Sequence, residues 1–237
     1  MTETQLTEIR NYLLSKKLPI DILIEVNDHF ISQISDLQKE KNLGFEKAFE
    51  EVKENWKDEL NLSWGGGFNL EDTTPFLRNV NRQLANSTFM ASLKYCLTII
   101  LTIIVVCVFC SEIFFKYYTL MLFLFLSIFP LFTYIKNFKN FRLAKKYNNY
   151  ILTLHQGGSF LFLSILALAL QFEIKFFEHS EEIQKLFQLK KTVLGFWKIL
   201  LVITGTLTII IISLYSIISQ KKYLQQMQKV KPFLKYL

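Results

Sequence analysis

The chain has 237 residues, 51% of them apolar and 23 of them Phe, and carries a formal net charge of +7. That charge is a sum of opposites: residues 1–74 hold eight basic and fifteen acidic side chains, a net −7, and the remainder holds nineteen against five, a net +14. The basic residues flank apolar runs, which favours membrane orientation over a nucleic-acid partner, and Cys96, Cys107 and Cys110 share one apolar run, which excludes an extracellular disulfide framework.

The acidic, polar start at Met1–Leu6 does not read as a cleaved signal peptide. Helical spacing of apolar residues follows at once. Leu6, Ile9 and Leu13 make one stripe; Leu23, Val26, Phe30, Ile34 and Leu37 make a second; Phe45, Ala48, Phe49, Val52, Trp56 and Leu60 make a third. Pro19 suits the opening turn of the second helix. Residues 1–62 are therefore expected to form an acidic three-helix cytoplasmic domain, marginal on its own at this size.

Residues 63–92 follow as a linker. Gly65, Gly66 and Gly67 give it a hinge, since no lysine-bearing phosphate loop follows them. Thr74-Pro75 then reads as the N-cap and first residue of a juxtamembrane helix.

Four stretches reach the ~20 mostly apolar residues that a bilayer core requires: about 95–111, 117–135, 151–172 and 193–219. Backbone in lipid must satisfy itself, so each is a helix. The predicted fold class is all-α, a three-helix N-terminal domain plus a four-helix transmembrane bundle over 93–219, with a basic tail at 220–237. The segments 75–94, 136–149 and 220–237 hold thirteen Lys and Arg and no acid, while 173–192 balances four Lys against four Glu. The positive-inside rule then puts both termini in the cytoplasm. Between the first two spans only the Glu112–Lys116 connector remains, which demands a tight hairpin. The loop EIKFFEHSEEIQKLFQLKK carries apolar residues at the spacing of a short interfacial helix, read first as a cap on the bundle.

Ser15-Lys16-Lys17-Leu18-Pro19, then Glu25-Val26-Asn27-Asp28-His29-Phe30, a turn at Gly44 and an acidic third helix resemble the HAAS domain. That family is a small helical domain at the cytoplasmic N-terminus of bacterial multi-span membrane proteins. The resemblance implies a location in the bacterial inner membrane, a regulatory or signalling role, and a cytoplasmic protein partner of the PadR regulator type. It covers about a quarter of the chain, and Asn55-Trp56 stands where the family places a Leu-Gly-x-Pro turn.

The candidate sites are few. Glu25, Asp28 and His29 make a candidate partner-facing surface; Glu25 and His29 share a face, but two ligands do not make a metal site. Cys107-Val-Phe-Cys110 has redox spacing, yet thiols within a bundle act as small apolar groups. In the third span His155, Gln156 and Ser159 lie at the depth of Ser213, Tyr215 and Ser216 in the fourth, forming a candidate intramembrane polar site. Gly157 and Gly158 permit close helix contact there. No nucleophile–base motif appears and no acid falls within the spans as bounded, so neither catalysis nor a cofactor is expected. The preferred reading is a membrane-anchored regulator. The alternatives are a small channel or transporter built as a homo-oligomer of the bundle, or an accessory subunit of a transporter complex.

Overall fold

The computed structural model describes residues 1–64, 72–188, 190 and 195–237. Gly65, Gly66 and Gly67, the expected hinge, lie outside the described residues. Among those described there are ten α-helices and no strand: α1 (Glu3–Ser15), α2 (Ile20–Glu40), α3 (Phe45–Asn55), α4 (Lys57–Leu60), α5 (Pro75–Phe109), α6 (Glu112–Lys136), α7 (Phe138–Lys146), α8 (Gln156–Glu178), α9 (Ser180–Phe187) and α10 (Phe196–Phe233). The chain is all-α, and it divides into two compact units.

The first unit comprises residues 1–85, 142–154 and 223–237. Thr2 opens α1 with a capping box, in which its Oγ1 accepts from the Gln5 amide while Gln5 Oε1 accepts from the Thr2 amide at 2.9 Å. The turns after α1 and α2 pass through the left-handed region at Lys17 (φ 56°) and Asn42 (φ 50°); Asn tolerates that region far better than Lys. Ile9, Leu13, Leu23, Val26, Phe30, Ile34, Phe49 and Val52 bury the three predicted stripes against one another. The third stripe is broken at Trp56, where the helix ends and the single turn of α4 begins.

This unit takes in more chain than residues 1–62. The first amides of a helix have no partner within it; here Ile20 and Asp21 donate theirs to the carbonyls of Ile151 and Leu152, at 2.8 and 3.2 Å. The Asp21 carboxylate accepts from the Leu154 amide at 3.1 Å and from the Ile22 amide at 3.0 Å. Residues 151–154, expected as the start of the third span, are consequently non-helical, and α8 begins five residues later. At the other end, Tyr223, Met227, Val230 and Leu234 are buried at spacings of four, three and four. The basic tail is thus a helical extension of α10 with an apolar face, and Arg10 lies 4.1 Å above the Tyr236 ring. Thr74 caps α5 by accepting from the Leu77 amide at 3.1 Å. Ser63 and Thr73 are joined by paired backbone hydrogen bonds, each 3.2 Å, with Arg78 donating to Ser63 Oγ at 2.8 Å.

The second unit comprises residues 86–141 and 155–222. It holds the apolar stretches of four helices long and apolar enough to cross a membrane: α5, α6, α8 and α10. Only 22–28% of each helix's most apolar 18-residue stretch is buried, so most apolar side chains point outward, as lipid contact allows. The expected Glu112–Lys116 connector is helical instead. Ser111 accepts from the Phe114 amide at 3.4 Å and caps α6, which leaves only Cys110 and Ser111 outside helix.

Candidate functional site

Two places gather polar groups, one in each unit. In the first, α2 and α3 part around Trp56 to leave a groove of about 490 Å³. Its floor is Leu37, Val52 and the Trp56 ring; its walls carry Asp36, Glu40 and Glu59. The ring is fixed by Phe30 and Phe76 at 5.6 and 6.0 Å, and its Nε1–H donates to Gln33 Oε1 at 2.9 Å. Nearby carboxylates are neutralised, Glu51 by Lys41 and Glu54 by Lys57. Asp36, Glu40 and Glu59 form no ion pair among the described residues. The groove therefore offers uncompensated negative charge around an aromatic floor, a combination suited to a basic side chain that also has an apolar stem.

The predicted surface Glu25, Asp28 and His29 is exposed. Glu25 and His29 continue at helical spacing into Gln33, Asp36 and Glu40, so this stripe leads into the groove. Glu25 itself comes within 3.9 Å of Lys229. The part of the surface that sequence reasoning missed is the Trp56 end. The signal was present in Asp36, Glu40 and Glu59, but only the break after Asn55 turns them toward one cleft.

In the second unit the predicted polar residues are buried, apart from the half-buried Gln156 and Tyr215. The His155 carbonyl accepts from Ser159 Oγ at 2.7 Å, and the Ser159 carbonyl accepts from Gln220 Nε2 at 3.2 Å. Gln220 Nε2 also reaches the Pro130 carbonyl at 3.1 Å, tying α10 to α6 beside the proline. Ser213, Ser216 and Gln220 line up at spacings of three and four on α10. Ser216 Oγ, Gln220 Oε1 and, two turns before Ser213, Thr206 Oγ1 have no hydrogen-bond partner among the described residues. The glycine pair splits: a Cβ on Gly158 would fall 2.6 Å from Ser219 Oγ and 2.9 Å from Tyr215 Cε1, whereas Gly157 faces open space. No hydrogen bond joins the His155 ring to Ser213, Tyr215 or Ser216.

One residue in this unit corrects an expectation. The third span, expected to end at Phe172 and to hold no acid, continues in α8 to Glu178 and buries Glu173, which accepts from Ser127 Oγ at 2.6 Å. The drop in hydropathy at Glu173 hid this, because Phe176 carries the apolar face one turn further. Helix α9 packs through Ile183 and caps α5 chemically as well. Gln184 Nε2 donates to the Cys107 and Cys110 carbonyls at 3.0 and 3.3 Å, and Gln188 Nε2 donates to Cys107 at 2.7 Å. Those are the carbonyls that a helix C-terminus leaves unpaired. The Cys107 thiol donates in return to the Gln184 carbonyl at 3.5 Å, a structural role. Among the described residues no three His, Cys, Asp or Glu side chains are grouped to hold a metal ion.

No protein-family model matches the chain, and no curated protein or solved structure matches it either.

Proposed function

We propose that this chain is a multi-pass protein of the bacterial cytoplasmic membrane, with both termini in the cytoplasm, whose N-terminal helical domain captures a regulatory protein. The observation that carries this reading is the unpaired acidic groove around Trp56. A partner presenting a basic helix would place an Arg or Lys stem on the indole and its charge among Asp36, Glu40 and Glu59. The HAAS resemblance supports a partner of the PadR type, and the thirteen unopposed basic residues support the orientation.

The test is a photo-crosslinker at the exposed Glu59, in the full chain and in whole cells. A single heavier adduct is expected, identified by mass spectrometry, with its cross-linked peptide rich in Lys or Arg. Reversing Asp36 and Glu40 to Lys should cut the adduct at least about ten-fold, since two like-charge contacts replace two attractive ones. An adduct that survives the reversal would sink the proposal. Charge reversal is preferable to deleting residues 1–62, because Leu77 and Leu154 pack on the same core and would be stripped.

A further inference from the structure

Between α8 and α10 the second unit has an apolar groove, and its composition changes along its length. One chamber, of about 280 Å³, is walled by Ile165, Leu168, Phe172, Leu201 and Thr208. Thr204 also lines it, but its hydroxyl is already used, donating to the Leu200 carbonyl at 2.8 Å, so the wall it presents is largely methyl. Phe172 and Leu201 also border a second chamber of about 220 Å³, whose far side carries Lys175, His179 and Lys198. Thr208 and Lys198 stand ten residues apart on α10, about 15 Å at the helical rise. This is an apolar slot ending at two lysines and a histidine, where α8 finishes and α10 begins.

We propose that this groove binds an anionic phospholipid, with one acyl chain along Leu168, Phe172 and Leu201 and the phosphate among Lys175, His179 and Lys198. Charge complementarity selects the occupant. Of the neighbouring acids, Glu178 pairs with Lys175 at 2.6 Å, while Glu181 and Glu182 are taken by Lys185. Lys198 forms no ion pair among the described residues, so the chamber retains positive charge. A zwitterionic headgroup brings its own cation to that cluster and gains less from it. A neighbouring protein helix would need an acidic end on an otherwise apolar face, whereas an anionic lipid has that pattern in every copy. Trp197, 78% exposed beside Lys198, suits the boundary where headgroups lie.

The inference rests on reading the four helices as membrane spans, so alkaline carbonate extraction comes first. Release of the chain would overturn both readings. Retention leaves the lipid site to be judged alone. The detergent-purified full chain is then offered equal amounts of phosphatidylglycerol and phosphatidylcholine with identical acyl chains, and bound lipid is counted by native mass spectrometry. One phosphatidylglycerol should be retained with a preference of about five-fold or more, the scale expected for one or two lysines near a lipid phosphate. Lys198→Glu should abolish the preference while leaving a lipid bound, and Thr204→Trp should fill the slot and reduce both lipids. Equal retention by the unmodified protein, or a preference unchanged in Lys198→Glu, would overturn the site. Displacement by inorganic phosphate alone would overturn the part played by the acyl chain.

Discussion

The two units solve the packing problem in different ways. In the first, large apolar side chains are sealed inside: Phe30, Ile9, Leu13 and Ile34 have no exposure, and Tyr12, Phe45 and Phe49 close over them ring to ring. In the second, Ser127, Ser159, Thr206, Ser213, Ser216 and Ser219 are buried beside an apolar cluster around Phe115, Phe123 and Ile210, while Phe109 and Leu101 stand exposed. Water explains the first arrangement, since burying apolar area from it drives folding. Lipid explains the second: with no hydrophobic gain from hiding leucine, helices associate through small residues and polar contacts. The two units should therefore fail for different reasons when mutated.

The largest effect should come from emptying the water-facing core. Phe49→Ala removes a ring that contacts Tyr12 at 5.8 Å and Phe45 at 5.5 Å and is 2% exposed. Such truncations cost about 3–5 kcal/mol, comparable with the whole stability of a small domain. Hydrogen exchange on the full chain should show amide protection collapsing in α1–α3 while α6 and α8 keep theirs. Equal loss in α6 and α8 would break the distinction drawn between the units.

The next largest effect concerns Asp21. Burial pushes its carboxyl up to about 6, against the pull of the Leu154 and Ile22 amides. An unfolded Asp titrates near 3.8, so the folded unit holds a proton between these values that the unfolded chain has lost. Stability should fall as pH rises through that window and level off above pH 6, a change on the order of 3 kcal/mol. In Asp21→Asn the slope should vanish. The measurement is the denaturant midpoint of α1–α3 exchange at pH 4, 5, 6 and 7; a midpoint that climbs with pH would reverse the sign and refute the account.

Asp21 also marks where sequence reading stops. Periodicity suffices for α2, because Leu23, Val26, Phe30 and Ile34 declare a face by spacing alone, and an apolar run suffices for a span. The partner of Asp21 lies 133 residues away, and no local pattern signals that residues 151–154 will answer the free amides of α2 instead of starting α8. The same holds for Gln184 beneath α5, which looks like one more polar residue in a loop. Glu173 was hidden differently, since a hydropathy rule ends a span at an acid even when a serine on the facing helix satisfies it. What was legible is what neighbours in the chain decide.

The smallest effect tests the second unit at its own scale, on two adjacent glycines whose roles the sequence does not distinguish. Gly158→Ala puts a methyl 2.6 Å from Ser219 Oγ and 3.0 Å from Ser219 Cβ. The hydroxyl can rotate away, but the Cβ cannot, so α10 must move by a few tenths of an ångström and loosen its bonds from Gln220 to Pro130 and Ser159. Overpacking of this kind costs about 1–3 kcal/mol. Gly157→Ala meets nothing within 4 Å and lies in the first turn of α8, where replacing glycine should gain up to about 0.5–1 kcal/mol of helix propensity. Thermal melting of the purified chain in detergent, followed by a probe in α8, should therefore move down for Gly158→Ala and up for Gly157→Ala. If both move the same way, close approach at Gly158 is not what holds α8 to α10, and the hydrogen bonds of Gln220 must carry that contact instead.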